Sequence, residues 1–243
     1  MKIIKLNAID STSSFLKELA KHSSVENWTV VVADTQTKGR GQQTNTWVSE
    51  PYKNLTMSVF IGDLNLEIAH QKYLNFAVSL AVFNMLSSQK IQGLSIKWPN
   101  DIMSATKKLC GILVENTTRN NKIHSAVIGI GLNVNQVGFP DFLKNAASLK
   151  TLTHQDYDLD ALLLELMKHL KKSIVLVLEK KYVQLETEYL KVLYKIKKPA
   201  MFKDRNATVF MGKIIGVSNS GKLLLELEDE TIKEFGIKEV SFA

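Results

Sequence analysis

"VFMGKIIGVSNSGKLLLELEDETIKEFGIKEVSF", residues 209 to 242, decides the architecture. Short apolar or alternating runs are cut by glycine, by Asn219-Ser220-Gly221 and by Glu228-Asp229-Glu230. Turn residues between such runs mark short antiparallel strands. A tail of this kind, with no helical period, is the pattern of a small barrel. Upstream the chain changes character. Strand patterns fall near residues 2–8, 29–33, 55–62, 94–98, 109–116 and 125–134, with helical stretches between them. Asp10 and "STSS" supply caps for a helix carrying Phe15, Leu16 and Leu19. Residues 67–88 predict a long, largely buried helix, and 159–194 predict helices that break once near Lys180 to Val183. Interleaved strands and helices followed by an all-strand tail predict an α+β protein. Its main domain, residues 1–196, is a mixed sheet flanked by helices, and residues 197–243 form a small appended barrel.

Length and composition fit that plan. A chain of 243 residues, 45% hydrophobic and 23% charged, can bury a proper core. No apolar run reaches the length of a membrane span and the start lacks a signal-peptide pattern. The single cysteine, Cys110, excludes an internal disulfide framework. The expected location is the cytoplasm, with no membrane partner. The net charge of +7 is concentrated between Lys168 and Arg205, where eleven basic residues face four acidic ones. Such a stretch either attracts nucleic acid or forms solvated helix faces, and the second is the plainer reading.

Four segments carry chemistry. The first runs from Thr35 to Thr46, twelve residues without an apolar side chain, with Arg40 between Gly39 and Gly41. Loops this long and polar are uncommon in compact domains unless functional or disordered. Arginine offers a fixed fork of donors for phosphate or carboxylate. The second is "IKWPND", residues 96–101, which ends a strand with Lys97, an aromatic ring, an amide and a carboxylate. The third is "KKLCGILVEN", residues 107–116. Regular alternation puts Lys108 on one face with Cys110, Ile112 and Val114, and Gly111 leaves room for a ligand against the sheet. The fourth, "VIGIGLNVNQ" at 127–136, has Gly-Ile-Gly but no third glycine opening a helix, so the dinucleotide fingerprint fails. The five histidines show no metal-ligand spacing, and no serine stands in a nucleophile elbow. Residue types alone therefore point to an anion site, with Arg40, Lys97 and Lys108 around it.

In order, "DSTSS", "TKGRG…W", "NLTMSV", "KWPND", "KKLCGILVE", "GIGLNVN" and "AASL" resemble the motifs of biotin–protein ligases, from about residue 8 to the C-terminus. The resemblance implies a class II synthetase-like catalytic domain with a small SH3-like barrel. It implies ATP-dependent activation of biotin as biotinyl-5′-AMP, with Mg²⁺, and transfer to a lysine of a biotin carboxyl carrier protein. Carried over by position, Ser11, Thr12, Ser13 and Gln36 match biotin-holding residues, and Gly111 matches part of the same pocket. Arg40, Gly41 and Gln42 match the loop over biotin and the adenylate. Lys108 matches the lysine that meets carboxylate and α-phosphate, and with Arg40 and Asp101 makes the implied catalytic set. Trp47, Lys97, Asn100, Asp101 and Asn133 match positions near the nucleotide. The metal ligands stay unassigned. After "GRG" this chain has Gln42, Gln43, Thr44 and Asn45 where many relatives carry more basic residues, so Arg40 is the loop's only arginine. With no anchoring apolar side chain, the loop is expected to be mobile when empty and to order over the adenylate. The chain begins at the catalytic segment, so the expectation is a monofunctional ligase without sequence-specific DNA binding; a homodimer is compatible with it. The rival readings are a lipoate or octanoate transferase and a nucleic-acid-binding regulator.

Overall fold

Strands and helices assemble into two sheets in the computed structural model, which describes residues 1–243. The chain opens with β1 (Ile3–Ile9), α1 (Thr12–His22) and β2 (Val30–Gln36), a crossover whose strands are parallel. The helix starts where the caps predict. Ser11 Oγ accepts the Ser14 N–H at 3.4 Å, and the Asp10 carboxylate accepts the Ser11 N–H at 2.5 Å. Leu16 seals α1 to the sheet against Val31 and Val127.

The remaining pairings of this sheet are antiparallel. They involve β3 (Leu55–Ile61), β4 (Leu66–Glu67), β5 (Leu94–Lys97), β6 (Asp101–Ser104), β7 (Lys107–Arg119) and β8 (Lys122–Leu132). The spatial order is β1-β2-β3-β8-β7-β6-β5, with β4 also on β8. Before β5 comes α2 (Gln71–Ser87), shorter than its apolar pattern because Glu67 pairs with Lys122 in β4 and residues 68–70 make a 3-10 turn. This helix is buried on most of its surface, as a middle layer must be. Outside it lie α4 (Leu159–Leu178) and α5 (Tyr182–Lys191), which follow the short α3 (Leu149–Thr153). The single break falls as predicted. Lys180 takes a left-handed φ of 56°, and the Lys181 N–H reaches back to the Leu176 carbonyl at 2.8 Å, which ends α4. Tyr189 of α5 stacks on Phe76 of α2 with centroids 3.9 Å apart. All eleven basic side chains from Lys168 to Arg205 are exposed. No helix is long and apolar enough to cross a membrane.

The tail forms β9 (Pro199–Asp204), β10 (Val209–Val217), β11 (Leu223–Leu227), β12 (Ile232–Phe235) and β13 (Val240–Phe242), all antiparallel in the order β12-β11-β10-β9-β13. The predicted barrel is therefore an open, five-stranded sheet. A bulge between Ile214 and Gly216 bends β10, but the end strands have four and three residues and do not pair with each other. Phe202, Ile214, Val217, Leu223 and Leu225 of this sheet belong to the same buried cluster as the main domain. The Trp98 indole N–H also donates to the Gly221 carbonyl at 3.1 Å. The groove where the two sheets meet is the site.

Candidate active site

Three glycines make the floor. Gly111 of β7 pairs directly with Gly131 of β8, and Gly129 stands opposite Leu113. Without side chains, these positions leave a flat strip of backbone. The Trp47 indole lies on it so closely that a β-carbon at residue 131 would come 2.7 Å from Cδ2 and 2.8 Å from Cζ2. At Gly129 a β-carbon would strike Ser13 Oγ. A cavity of about 390 Å³ opens above this floor, walled on its far side by Ile237, Lys238, Val240, Ser241 and Phe242.

One end of the cavity is neutral and rich in hydrogen-bonding groups. The buried hydroxyls of Thr12 and Ser13 both lie 2.8 Å from Ser58 Oγ. Gln36 Oε1 accepts from the Thr12 N–H at 2.8 Å and from its hydroxyl at 3.1 Å. Ser11, the cap of α1, completes this end. The start of a helix and the end of β2 are thus locked together by polar groups already desolvated.

The other end is charged. Lys108 Nζ pairs with Asp101 Oδ1 at 2.6 Å and lies 5.8 Å from the centre of the Trp47 ring. Here simple alternation fails. Ile102 pairs with Cys110 but Met103 pairs with Lys108, so Leu109 is an extra, bulged residue. Leu109 and Cys110 both turn into the core, and Lys108 comes out beside Gly111, whose β-carbon would lie 3.4 Å from Lys108 Nζ. The expectation that Lys108 shares a face with Cys110, Ile112 and Val114 is therefore wrong. The lysine stands on the glycine side, and of those three residues only Ile112 lines the cavity. Burial also pushes the Cys110 thiol pKa up, leaving it inert.

The glycine loop is better anchored than its polarity implies. Thr35 and Gln36 belong to β2, the Gly41 N–H donates to Asn45 O at 2.8 Å, and the Trp47 N–H donates to Gly39 O at 2.9 Å. Arg40 forks onto Glu115 with Nη1–Oε2 at 2.9 Å and Nη2–Oε1 at 2.8 Å, and Lys17 holds Oε1 at 2.7 Å. Burial raises the Glu115 pKa, but the hydrogen bonds and charges of Lys17 and Arg40 outweigh it, and the net shift is downward. The expectation of a loop with nothing to hold it thus overlooked Trp47, one residue beyond its end, and a carboxylate on β7.

Of the residues singled out from sequence, Ser11, Thr12, Ser13, Gln36, Arg40, Gly41, Gln42, Trp47, Lys97, Asn100, Asp101, Lys108 and Gly111 all line the cavity. Asn133 does not. It is 3% exposed and donates to the carbonyls of Ala147 at 3.0 Å and Lys108 at 3.5 Å, so it braces the strand that carries Lys108. The Asn100 amide donates to the Ile112 carbonyl and fixes the turn before β6. Sequence reasoning missed Ser58, Glu115, Gly129, Gly131, Lys238 and Phe242. Only the two glycines carried a signal: spaced by two in a strand, they must share a face.

Comparison with known proteins follows the same outline. The profile of the Biotin/lipoate A/B protein ligase family matches residues 6–133. The chain is 34% identical to the bifunctional ligase/repressor BirA of Bacillus spizizenii, over 98% of this chain and 71% of that protein. It is 31% identical to a biotin–[acetyl-CoA-carboxylase] ligase of Paracoccus denitrificans, over 54% of this chain and 53% of that one. Among solved structures, biotin protein ligase from Aquifex aeolicus in complex with biotin and ATP superimposes with a TM-score of 0.81 at 28% identity, covering 100% of this chain and 98% of that one.

Proposed function

Since this chain belongs to the Biotin/lipoate A/B protein ligase family, we propose that its cavity activates biotin with ATP and passes the biotinyl group to a lysine of a biotin carboxyl carrier protein. One observation carries the choice of substrate. A neutral cluster of hydroxyls and an amide stands at one end of a flat glycine floor, and a lysine–aspartate pair stands at the other. Gly129, beneath Ser13, and Gly131, paired with the Gly111 that stands beside Lys108, are two residues apart on β8, roughly 7 Å. Biotin has the same polarity in sequence: a neutral, hydrogen-bonding ureido ring, an apolar chain and a carboxylate.

In the first step a carboxylate oxygen of biotin attacks the α-phosphorus of ATP. The bond from that phosphorus to the bridging oxygen breaks, and pyrophosphate leaves with the electron pair. Both reactants are anionic, so the work of the site is to hold them together against repulsion. Lys108 and Arg40 are the cations for that task, and Asp101 and Glu115 fix where they stand before substrate arrives. In the second step an acceptor amine attacks the carbonyl of the mixed anhydride, AMP departs and the amine loses a proton. No cluster of three potential metal ligands exists, and Asp101 is the one carboxylate on the cavity wall. That fits Mg²⁺, which is commonly held by substrate phosphates and one or two carboxylates. Bound there by Asp101, it would neutralise phosphate charge.

Among partners, duplex DNA is not expected. The exposed basic side chains from Lys168 to Arg205 are spread over α4, the turn after it, α5, the segment that follows, β9 and the turn beyond, with no single element gathered to enter a groove. The deciding experiment is biotin-dependent exchange of labelled pyrophosphate into ATP, followed by transfer to a purified carrier domain. Exchange with lipoate but not biotin would move the chain to the other branch of its family.

A further inference from the structure

Four cationic side chains line the cavity, and two of them are already matched. Arg40 is held by Glu115 and Lys108 by Asp101. Neither meets an incoming polyanion with its full charge, because each is partly neutralised by a carboxylate. Lys97 and Lys238 have no carboxylate partner. The Lys97 ammonium lies 5.4 Å from the centre of the Phe242 ring. Lys238 makes one polar contact, donating to Thr44 Oγ1 at 3.1 Å.

That contact spans 194 positions and joins two features of opposite kind. Thr44 lies in the stretch Gly41 to Thr46, the part of the glycine loop with no charged side chain. Lys238 belongs to the turn between β12 and β13, which its neighbours clamp. The Glu239 carboxylate accepts the Gly236 N–H at 2.6 Å, the Glu239 N–H donates to Gly236 O at 3.0 Å, and Arg205 pairs with Glu239 at 3.3 Å. Inside this clamp Lys238 takes a left-handed φ of 63°, unfavourable for a residue with a β-carbon. The result is a positive charge brought from the second sheet to the uncharged tip of the loop.

Resting on the ligase reading above, we propose that Lys238 is a nucleotide-binding residue: its ammonium moves from Thr44 to the terminal phosphates of ATP. The C-terminal sheet then supplies the phosphates with a charge that the loop tip itself lacks. A lysine suits this position because it is a compact charge on a flexible stem, able to exchange a hydroxyl for a phosphate oxygen with little rearrangement.

The test compares Lys238→Ala, Lys238→Arg and Thr44→Val with the wild-type chain, by ATP binding in a calorimeter and by biotin-dependent pyrophosphate exchange. Lys238→Ala is expected to weaken ATP binding and raise the KM for ATP by about 10-fold. The KM for biotin should stay unchanged, and the defect should shrink as salt is raised. Lys238→Arg should recover most of the loss. Thr44→Val, which removes only the loop contact, should leave ATP binding near wild type. Unchanged ATP binding in Lys238→Ala overturns the proposal, and so does a Thr44→Val variant with the whole defect, since Lys238 would then be a clamp on the loop. Wild-type protein that binds ATP but shows no biotin-dependent exchange would sink the ligase reading instead, and the binding comparison would still decide the role of Lys238.

Discussion

Arg40 and Glu115 face each other through two parallel hydrogen bonds of 2.9 and 2.8 Å, 75 positions apart in the chain. The pair ties the glycine loop to the middle of the main sheet. Glu115→Gln should loosen this tie, so limited proteolysis between residues 37 and 46 should quicken. The pH dependence has a definite sign. The folded pKa of Glu115 is depressed, so its contribution to stability is complete above the unfolded value, about 4.3. It is lost as pH falls through the folded value. Melts of wild type and Glu115→Gln should therefore differ at pH 7 and converge in acid; a constant gap across that range would contradict the ion-pair role. Arg40→Gly should also speed escape of biotinyl-adenylate, by roughly 10–100-fold if one charge-assisted contact is lost.

Lys108→Ala removes the cation beside Asp101 from a side chain that is 37% exposed and outside the core. Adenylate formation is expected to fall by roughly 10–150-fold, the range for one charge-assisted contact felt fully in the transition state. The thermal melt should stay cooperative. Normal pyrophosphate release would remove Lys108 from the reaction.

Gly131→Ala tests the floor. Its β-carbon would enter the space of the Trp47 ring. The strand is buried and paired on both sides, so the indole is the part that yields. Tryptophan emission should shift to the red and exchange activity should drop, at a stability cost of about 1–3 kcal/mol, as for other overpacked sites. Unshifted emission together with full activity would mean that the ring does not need the strip.

Cys110 is the only thiol and is fully buried, and burial raises its pKa. A thiol reagent at pH 8 should label the native protein only as fast as it unfolds. Labelling should accelerate with denaturant along the unfolding transition. Rapid reaction of native protein would show that β7 opens locally.

Local patterns carried most of this structure in the sequence. Ser11 caps α1 and Lys180 ends α4 through contacts within five residues, and the strand positions follow from alternation that each strand displays alone. What escaped depends on pairing between strands or on distant partners. The bulge at Leu109 exists because β6 and β7 pair out of step, which neither strand reveals by itself. Glu115 reads as the polar end of an apolar run until Arg40 and Lys17 are brought to it. Ser58 is an ordinary strand serine until Thr12 and Ser13 arrive at 2.8 Å. Gly129 and Gly131 were visible, but weighing them against a dinucleotide fingerprint hid the simpler fact that they clear one face of β8. Asn133, two residues beyond Gly131, turns inward to brace backbone.

The bulge also sets how this segment can vary. Substitutions between Ile102 and Gly111 change one side chain at a time, but one residue inserted opposite Leu109, between Ile102 and Met103, restores regular alternation and turns Lys108 over. Its ammonium would then point toward α2, among side chains such as Ile102 and Cys110 that are fully buried. A single added residue would take a cation from the reaction and put it unpaired in the core, at a cost no substitution of Lys108 incurs. Libraries built on this scaffold can therefore vary composition across the hairpin, but its length is fixed.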